Sequence, residues 1–438
     1  MNLYEKILSL FYRVVKNDRR ILYYTELSKN LNLNRNAIIK KQEKNLKALI
    51  NHAYYKTEYY KKLFDENNIT PKDIKTKDDL IKIPELTKQI IKNNINELKS
   101  KDNFSKKLVK VTSGGSSGEQ AIIFYSKYYE EISRASWLRN NSMIGWMPTD
   151  KTVWIWGSPI EHAKLDKSII GRVGMLLNRR IIFNAFNYSE TDFVVWCNRI
   201  VKFKPKVLYG YASILLEFSQ FLIEKNLNLP SIKIVVSTAE KLINRETIEK
   251  AFNCKVYNQY GCREVVAVGI EVGTNEMVLT DDVVLLNTNK NNEFLLTPLF
   301  SFGFPLINYK VGDIGDHLSE RTKTNKYPFP TINLLIGRIT DNFINNKNRK
   351  IATSALSTYL STLNLEIKEH QIIQNNYTEF TINFISCENT NKENYYKKIT
   401  LCLEEYFGNN LSIIFNQVLK IPVEKSGKRL MFKRTFKL

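Results

Sequence analysis

An α/β architecture, with a large N-terminal domain and a small α+β domain behind it, is what this sequence predicts, and three observations carry the prediction. Between about Leu108 and Arg338, short apolar runs alternate with amphipathic helical patterns, as in a mainly parallel sheet covered by helices. After Ile344 the pattern changes to helix, strand and helix, which marks a separate smaller α+β unit. The chain is 438 residues long, more than one compact core accommodates, and its 43% apolar content is ample for burial. The expected domains are 1–339, with 1–100 as a helical lead-in, and 340–438.

At the start of the lead-in, Leu3, Ile7, Leu10, Phe11, Val14 and Val15 fall at helical spacing, with Lys6, Arg13, Lys16, Arg19 and Arg20 mostly between them. Such a basic amphipathic helix either packs on its own protein or, through residues 3–20, lies on the anionic inner face of a membrane. Charges at Glu5, Lys6 and Arg13 interrupt the apolar run and no small-residue cleavage site follows, so it does not read as a secretory signal. Residues 37–100 read as helices rich in Lys, Asn and Tyr, broken at Pro71 and Pro84.

Two short strands, Leu108–Val111 and Ala121–Tyr125, flank a Gly/Ser loop and place it at a hairpin tip. The strands Val153–Trp156, Arg180–Phe183, Val207–Tyr209, Ile232–Val236 and Lys255–Tyr257 follow, with helices at Ser213–Lys225 and Asn244–Phe252. Glu293–Thr297 and Leu306–Tyr309 continue in a more antiparallel style. The smaller domain holds a helix at Ala352–Leu363, a strand at Phe380–Ile385 and a helix at Glu393–Tyr406.

Composition removes several function classes. The formal charge of +21 invites a nucleic-acid reading, but Lys and Asn are spread over ordinary helix faces and loops. No concentrated basic run, RNP, helix-turn-helix or zinc motif is present, so no nucleic-acid partner is expected. The five cysteines show no CxxC spacing and the four histidines are scattered, which argues against a zinc finger or disulfide framework and for a reducing, cytoplasmic setting. No stretch reaches the ~18 apolar residues that cross a bilayer.

The chemistry-bearing motifs lie on loops that follow strands. Thr112, Ser113, Gly114, Gly115, Ser116, Ser117 and Gly118 offer hydroxyls, main-chain N–H groups and glycine backbone to a polyanion. No Lys follows as in a Walker loop, and composition alone also fits a plain flexible loop. Ala239 and Glu240 stand at the carboxyl end of a strand, where α/β folds bind ligands, although a helix cap would look the same. Next, Tyr260, Gly261, Cys262 and Glu264 pair an aromatic face for a base with a carboxylate for a divalent ion; a core tyrosine and a solvated glutamate are the alternative. Asp313, between two glycines in a tight turn, can accept hydrogen bonds from vicinal ribose hydroxyls, or simply form the turn. Gly337, Arg338, Thr340 and Asp341 mark the change of composition between domains. Lys428 follows Ser426 and Gly427 in an exposed loop, where a mobile ammonium can neutralise charge on a phosphoryl group or form part of a basic tail.

In this order and at these distances the motifs resemble the adenylate-forming (AMP-binding) superfamily, within it the phenylacetate-CoA ligase family, and in particular its CapK-like branch linked to capsular polysaccharide biosynthesis. Lys47–Tyr54, Tyr59 to Lys61 and Leu80–Leu86 are similar to that family's N-terminal helices, so the resemblance runs from about Lys41 to the C-terminus. It implies a large multi-sheet adenylate-forming domain with a small mobile lid. It implies ATP and Mg2+, with Thr112 to Gly118 on the β- and γ-phosphates, Ala239 and Glu240 by the adenine, and Tyr260, next to Gly261, stacked on it. Glu264 would hold the magnesium, Asp313 the ribose, Arg338 the ribose or phosphate, and Lys428 the adenylation transition state. Trp156, Gly157, Ser158, His162, Tyr209, Gly210, Tyr211 and Cys262 are the pocket candidates for a small carboxylic acid. The acceptor would be CoA, a carrier-protein thiol or an amino sugar.

Three positions depart from the family pattern. Val265 through Gly273 offers no Cys or His, so no structural zinc is expected; Gln120 stands where Pro is common, and Thr340 where a hinge Asp is common. A nucleotide-binding chain without catalysis would share the loop, but Glu264, Asp313 and Lys428 together argue for an active site.

Overall fold

The computed structural model describes residues 3–112, 122–156, 173–174, 176–185, 188–240, 242, 244–273, 276–290, 292–314, 326–332, 343–346, 350–351, 353, 356, 359–360, 363, 365–387, 390–421 and 431–436. The chain forms two compact units. One comprises Met1–Val111, Ala121–Asp150 and Tyr257–Gly337; the other comprises Thr112–Gln120, Lys151–Val256 and Arg338–Leu438. Among the described residues no helix is long and apolar enough to cross a membrane.

The first unit opens with α1 (Leu3–Leu10), α2 (Arg20–Ser28), α3 (Arg35–Lys56), α4 (Glu58–Glu66) and α5 (Lys88–Asn93). Helix α3 starts where the Asn34 side chain accepts the Ala37 N–H at 2.9 Å, and it buries Ile38, Gln42, Leu46, Leu49, Ile50 and Ala53 along one face. Strands β1 (Leu108–Thr112) and β2 (Ile122–Ser126) pair as the sequence predicts, and α6 (Lys127–Met143) follows at once, capped by Ser126. The loop between β1 and β2 lies outside the described residues.

In the second unit, β3 (Thr152–Ile155), β4 (Arg180–Phe183), β5 (Val207–Tyr211) and β6 (Ile234–Thr238) pair in parallel in the order β4-β3-β5-β6. Both faces of β5 are buried, which explains its unbroken apolar sequence. Around these strands lie α7 (Glu190–Phe203), α8 (Ala212–Glu224) and α9 (Arg245–Phe252).

The chain then returns to the first unit. Strands β7 (Val256–Tyr260), β8 (Gly269–Glu271) and β9 (Met277–Leu279) run antiparallel to one another. Next, β10 (Val284–Thr288), β11 (Glu293–Pro298) and β12 (Tyr309–Ile314) form a three-stranded antiparallel sheet, and β13 (Thr331–Ile332) pairs with β9. Here the sequence reading needs correction. Asp313 lies in a strand rather than in a tight turn, and the positive φ of Gly312 (88°) marks a local irregularity within that strand. The expected strand at Leu306–Tyr309 begins only at Tyr309, because Asn308 adopts a left-handed conformation with φ of 51°.

A buried ionic network, invisible in the sequence pattern, ties the first unit together. The Arg139 guanidinium on α6 grips Asp282 with both arms, at 2.5 and 2.9 Å, and the side chains are 0% and 1% exposed. Asn30 donates to the same carboxylate at 2.7 Å and accepts from Lys41 at 2.6 Å. Arg35 and Gln42 both donate to Asp281 Oδ2 at 2.8 Å. Burial pushes the Asp281 carboxyl up to about 6, although the neighbouring Arg35 pulls it down.

The last segment adds β14 (Phe343–Ile344), β15 (Lys350–Ile351), β16 (Ile367–Gln374), β17 (Glu379–Ser386), α10 (Lys392–Phe407), β18 (Ser412–Gln417) and β19 (Phe432–Arg434) to the second unit. A four-stranded sheet runs β18-β17-β16-β19, and α10 buries Tyr395, Ile399, Cys402, Leu403, Tyr406 and Phe407. The predicted strand and second helix match β17 and α10. The expected helix at Ala352–Leu363 lies largely outside the described residues. His370, on β16, is 3% exposed, neither ring nitrogen has a hydrogen-bond partner among the described residues, and burial lowers its pKa to about 4.

Two predictions follow from these buried charges. Arg139→Ala strands the Asp282 carboxylate and is expected to cost about 3–5 kcal/mol in urea unfolding; a loss below ~1 kcal/mol would mean that water replaces the pair. For His370, the lowered folded-state pKa gives stability that is complete above about 6.5 and lost as pH falls to about 4, roughly 3 kcal/mol in all. Asp281 acts in the opposite sense, stabilising at low pH and losing that contribution as pH rises to about 6. Comparing wild type with His370→Phe cancels the Asp281 term. The variant's thermal midpoint is expected to gain on wild type as pH drops through this window, and a pH-independent difference would contradict it.

Candidate functional site

In the first unit the Tyr260 motif closes into a tight turn. Cys262 N–H donates to the Val265 carbonyl at 2.9 Å, Val265 N–H returns to Cys262 at 3.2 Å, and Val268 N–H reaches the Tyr260 carbonyl at 3.1 Å. The turn is packed so closely that a Cβ on Gly261 would lie 2.2 Å from the Val266 carbonyl oxygen. Helix α6 holds the strand that leads into it: Trp137 Nε1 donates to Gln259 Oε1 at 2.9 Å, and Gln259 Nε2 donates to Asn141 Oδ1 at 3.0 Å.

Glu264 sits in this turn and is only 4% exposed. Its Oε1 accepts a 2.8 Å hydrogen bond from the hydroxyl of Tyr309, a fully buried residue at the start of β12. Tyr125 donates to the Arg263 carbonyl, and Tyr129 to that of Glu264 at 3.4 Å. Burial raises the pKa of both phenols, which keeps them protonated and able to donate. On the same turn, Tyr260 Oη donates to Asp313 Oδ2 at 2.9 Å, joining two motifs that are 53 residues apart in sequence. Tyr309 is the residue that sequence reasoning missed. In the sequence it forms the apolar end of an expected strand, and the polar residues that follow it in the same motif are its signal.

In the second unit, Trp156 stacks on Tyr211 at 4.3 Å between centroids and leans on Tyr209 at 5.5 Å. A Cβ on the intervening Gly210 would meet the Ile155 carbonyl at 3.2 Å, so a bulkier residue would press on the neighbouring strand. Past the end of β6, Ala239 adopts a left-handed φ of 67°, a conformation unusual for alanine. Glu240 Oε2 then accepts the Ser213 N–H at 2.8 Å in the first turn of α8. Glu240 is therefore a helix cap, but of α8 rather than of the helix that follows it, because α9 begins only at Arg245.

Tyr260, Gly261, Cys262, Glu264 and Asp313 thus come together in the first unit. Trp156, Tyr209, Gly210, Tyr211, Ala239 and Glu240 belong to the second. Thr112 ends β1, half-buried. Ser113 to Gly118, Gly157, Ser158, His162, Arg338, Thr340, Asp341 and Lys428 lie outside the described residues. Among the described residues no group of three or more His, Cys, Asp or Glu could hold a metal ion. A magnesium ion bound mainly by phosphate oxygens and water needs one or two carboxylates, and Glu264 fits that need.

The architecture has close counterparts among solved proteins. A 2-hydroxyisobutyryl-CoA ligase in complex with 2-HIB-AMP and CoA, in the thioesterification state, is similar at a TM-score of 0.58, with 15% identity and 90% of each chain covered. The open conformation of that ligase gives 0.55, with 15% identity and 91% of each chain covered. The fold is that of the adenylate-forming ligases.

Within that fold the sequence is similar to CapK proteins. Residues 343–435 match the CapK C-terminal domain. Over 416 residues, 93% of this chain and 91% of the relative, the sequence is 26% identical to protein CapK of Staphylococcus aureus.

The packing at Gly261 makes a direct prediction. Gly261→Ala is expected to lower stability by about 1–3 kcal/mol, read as a drop in the thermal midpoint by circular dichroism. An unchanged midpoint would show that the turn relaxes without strain.

Proposed function

We propose that this chain activates a small carboxylic acid with ATP and then transfers the acyl group to an acceptor. The observation that carries this reading is the pairing of Tyr260 with Asp313 beside a Glu264 carboxylate fixed by Tyr309. It brings an aromatic ring and two carboxylates to one strand end, which supports a role for Asp313 toward a ribose and for Glu264 toward a cation. In the first step a substrate carboxylate oxygen attacks the α-phosphorus of ATP, the bond to the β-phosphate oxygen breaks, and pyrophosphate leaves. Little proton transfer is needed, so the work is positioning and charge neutralisation.

In this reading Asp313 accepts the ribose hydroxyls, Tyr260 flanks the adenine, and Thr112 through Gly118 cradle the phosphates. Glu264 holds the Mg2+, which when bound supplies positive charge to the phosphate oxygens. Arg338 contacts ribose or phosphate, and Lys428 neutralises the transition state. Trp156, Tyr209 and Tyr211, with Gly210 between the two tyrosines, offer an aromatic face to the acid. An acceptor nucleophile then attacks the acyl carbon and AMP leaves. The CapK-like sequence supports an acceptor in surface polysaccharide biosynthesis, an amino or hydroxyl group on a sugar. A second reading, thioester formation with CoA, is favoured by the likeness to the 2-hydroxyisobutyryl-CoA ligase determined with CoA.

ATP–pyrophosphate exchange across a panel of aryl, short-chain, hydroxy and amino acids tests the first step. Exchange is expected with one acid class, and Lys428→Ala is expected to slow it by about 10²-fold or more. Asp313→Ala is expected to raise the KM for ATP with a smaller effect on kcat. Failure to bind ATP would overturn the reading. Adding CoA or amino sugars to the active mixture and identifying the acyl product separates the two acceptors.

A further inference from the structure

The N-terminal helix carries a surface that the proposed chemistry does not use. Leu8 and Phe11 face inward, at 1% and 8% exposure, and fix α1 to the first unit. Ile7, Leu10, Val14 and Val15 are instead 46%, 58%, 66% and 51% exposed. In a continuous α-helix Val15 would lie on the stripe of Leu8 and Phe11, at the i, i+3, i+7 spacing. Residues Phe11–Val15 are wound as a π-helix, closed by Lys16 N–H on the Phe11 carbonyl at 3.3 Å, and this wider turn carries Val15 outward.

Basic side chains accompany this apolar ridge. Lys6, Arg13, Lys16 and Arg19 are exposed, whereas Arg20 is held by Asp18 and by the Tyr12 ring and contributes little. Four exposed apolar residues interleaved with four exposed cations suit one chemistry above others, a bilayer surface with anionic headgroups. A second copy of this strongly basic chain would bring like charges together.

We propose that Ile7, Leu10, Val14 and Val15 insert into the headgroup region of an anionic membrane while Lys6, Arg13, Lys16 and Arg19 engage the lipid phosphates. The segment lies along the surface, since α1 and its π-helical extension are too short to span a bilayer. The proposal is independent of the adenylation reading.

The test is sedimentation of the full-length chain with sucrose-loaded vesicles of phosphatidylcholine alone or with about 30% phosphatidylglycerol. The wild type is expected to bind the anionic vesicles at least tenfold better than the neutral ones, and to lose most binding at about 0.5 M salt. Leu10→Glu with Val14→Glu is expected to abolish binding without shifting the thermal midpoint, since both side chains are exposed. Lys6→Glu with Arg13→Glu is expected to weaken it at least tenfold. Undiminished binding by the Leu10/Val14 variant overturns the proposal, as does absence of binding to anionic vesicles. A wild-type dimer in sedimentation velocity that the same variant dissolves would assign the ridge to a second copy and likewise overturn it.

Discussion

The contact between Arg139 and Asp282 is the constraint on which the first unit depends. Taking both ions out of water is expensive, and a two-armed grip with further hydrogen bonds from Asn30 offsets that cost only in one arrangement. The pair fixes α6 against the turn between β9 and β10, and Asn30 and Lys41 extend it into the N-terminal helices. From the same helix Trp137 and Asn141 reach Gln259, the residue before Tyr260. Helix α6 thus carries both the buried ion pair and the contacts to the end of β7, next to the candidate site.

Two carboxylates of the candidate site each accept a hydrogen bond from a phenol. The Tyr309 hydroxyl steers Glu264 and the Tyr260 hydroxyl steers Asp313. Such a bond fixes the direction of a carboxylate without bringing a countercharge to it. Burial keeps neighbouring phenols neutral and reinforces this division of labour. The contrast with the Arg139 site is physical. There an ion pair builds structure, and at Glu264 a phenol hydroxyl sets direction.

Much of this was legible in the sequence. Period and apolar runs located β3 to β6, α8, α9, β17 and α10 to within a few residues, because a strand buried on both faces and an amphipathic helix each leave a one-dimensional pattern. The motif around Tyr260 and Glu264 was equally visible, since a Tyr-Gly pair after a strand is a local feature. What escaped depended on distance. Strands β8, β9 and β13 are two or three residues long and are defined by their partners. The glycines flanking Asp313 signal a turn, yet it sits in β12, in the irregular stretch between Lys310 and Ile314, which both pair with β11. The polar network around Asp281 and Asp282, and the role of Tyr309, join residues far apart in the chain, and no spacing rule encodes them.

Tyr309 has a consequence beyond its hydrogen bond. Its ring fills the first unit's core, its backbone bridges to Leu86, and its hydroxyl aims Glu264. Robustness and chemistry are thus vested in a single side chain. A protein engineer seeking a hardier scaffold, or a lineage drifting toward a new substrate, has no independent control of the two at this position. Room for change lies at neighbours such as Cys262, a partly buried residue of the same turn whose side chain is smaller than the Tyr309 ring.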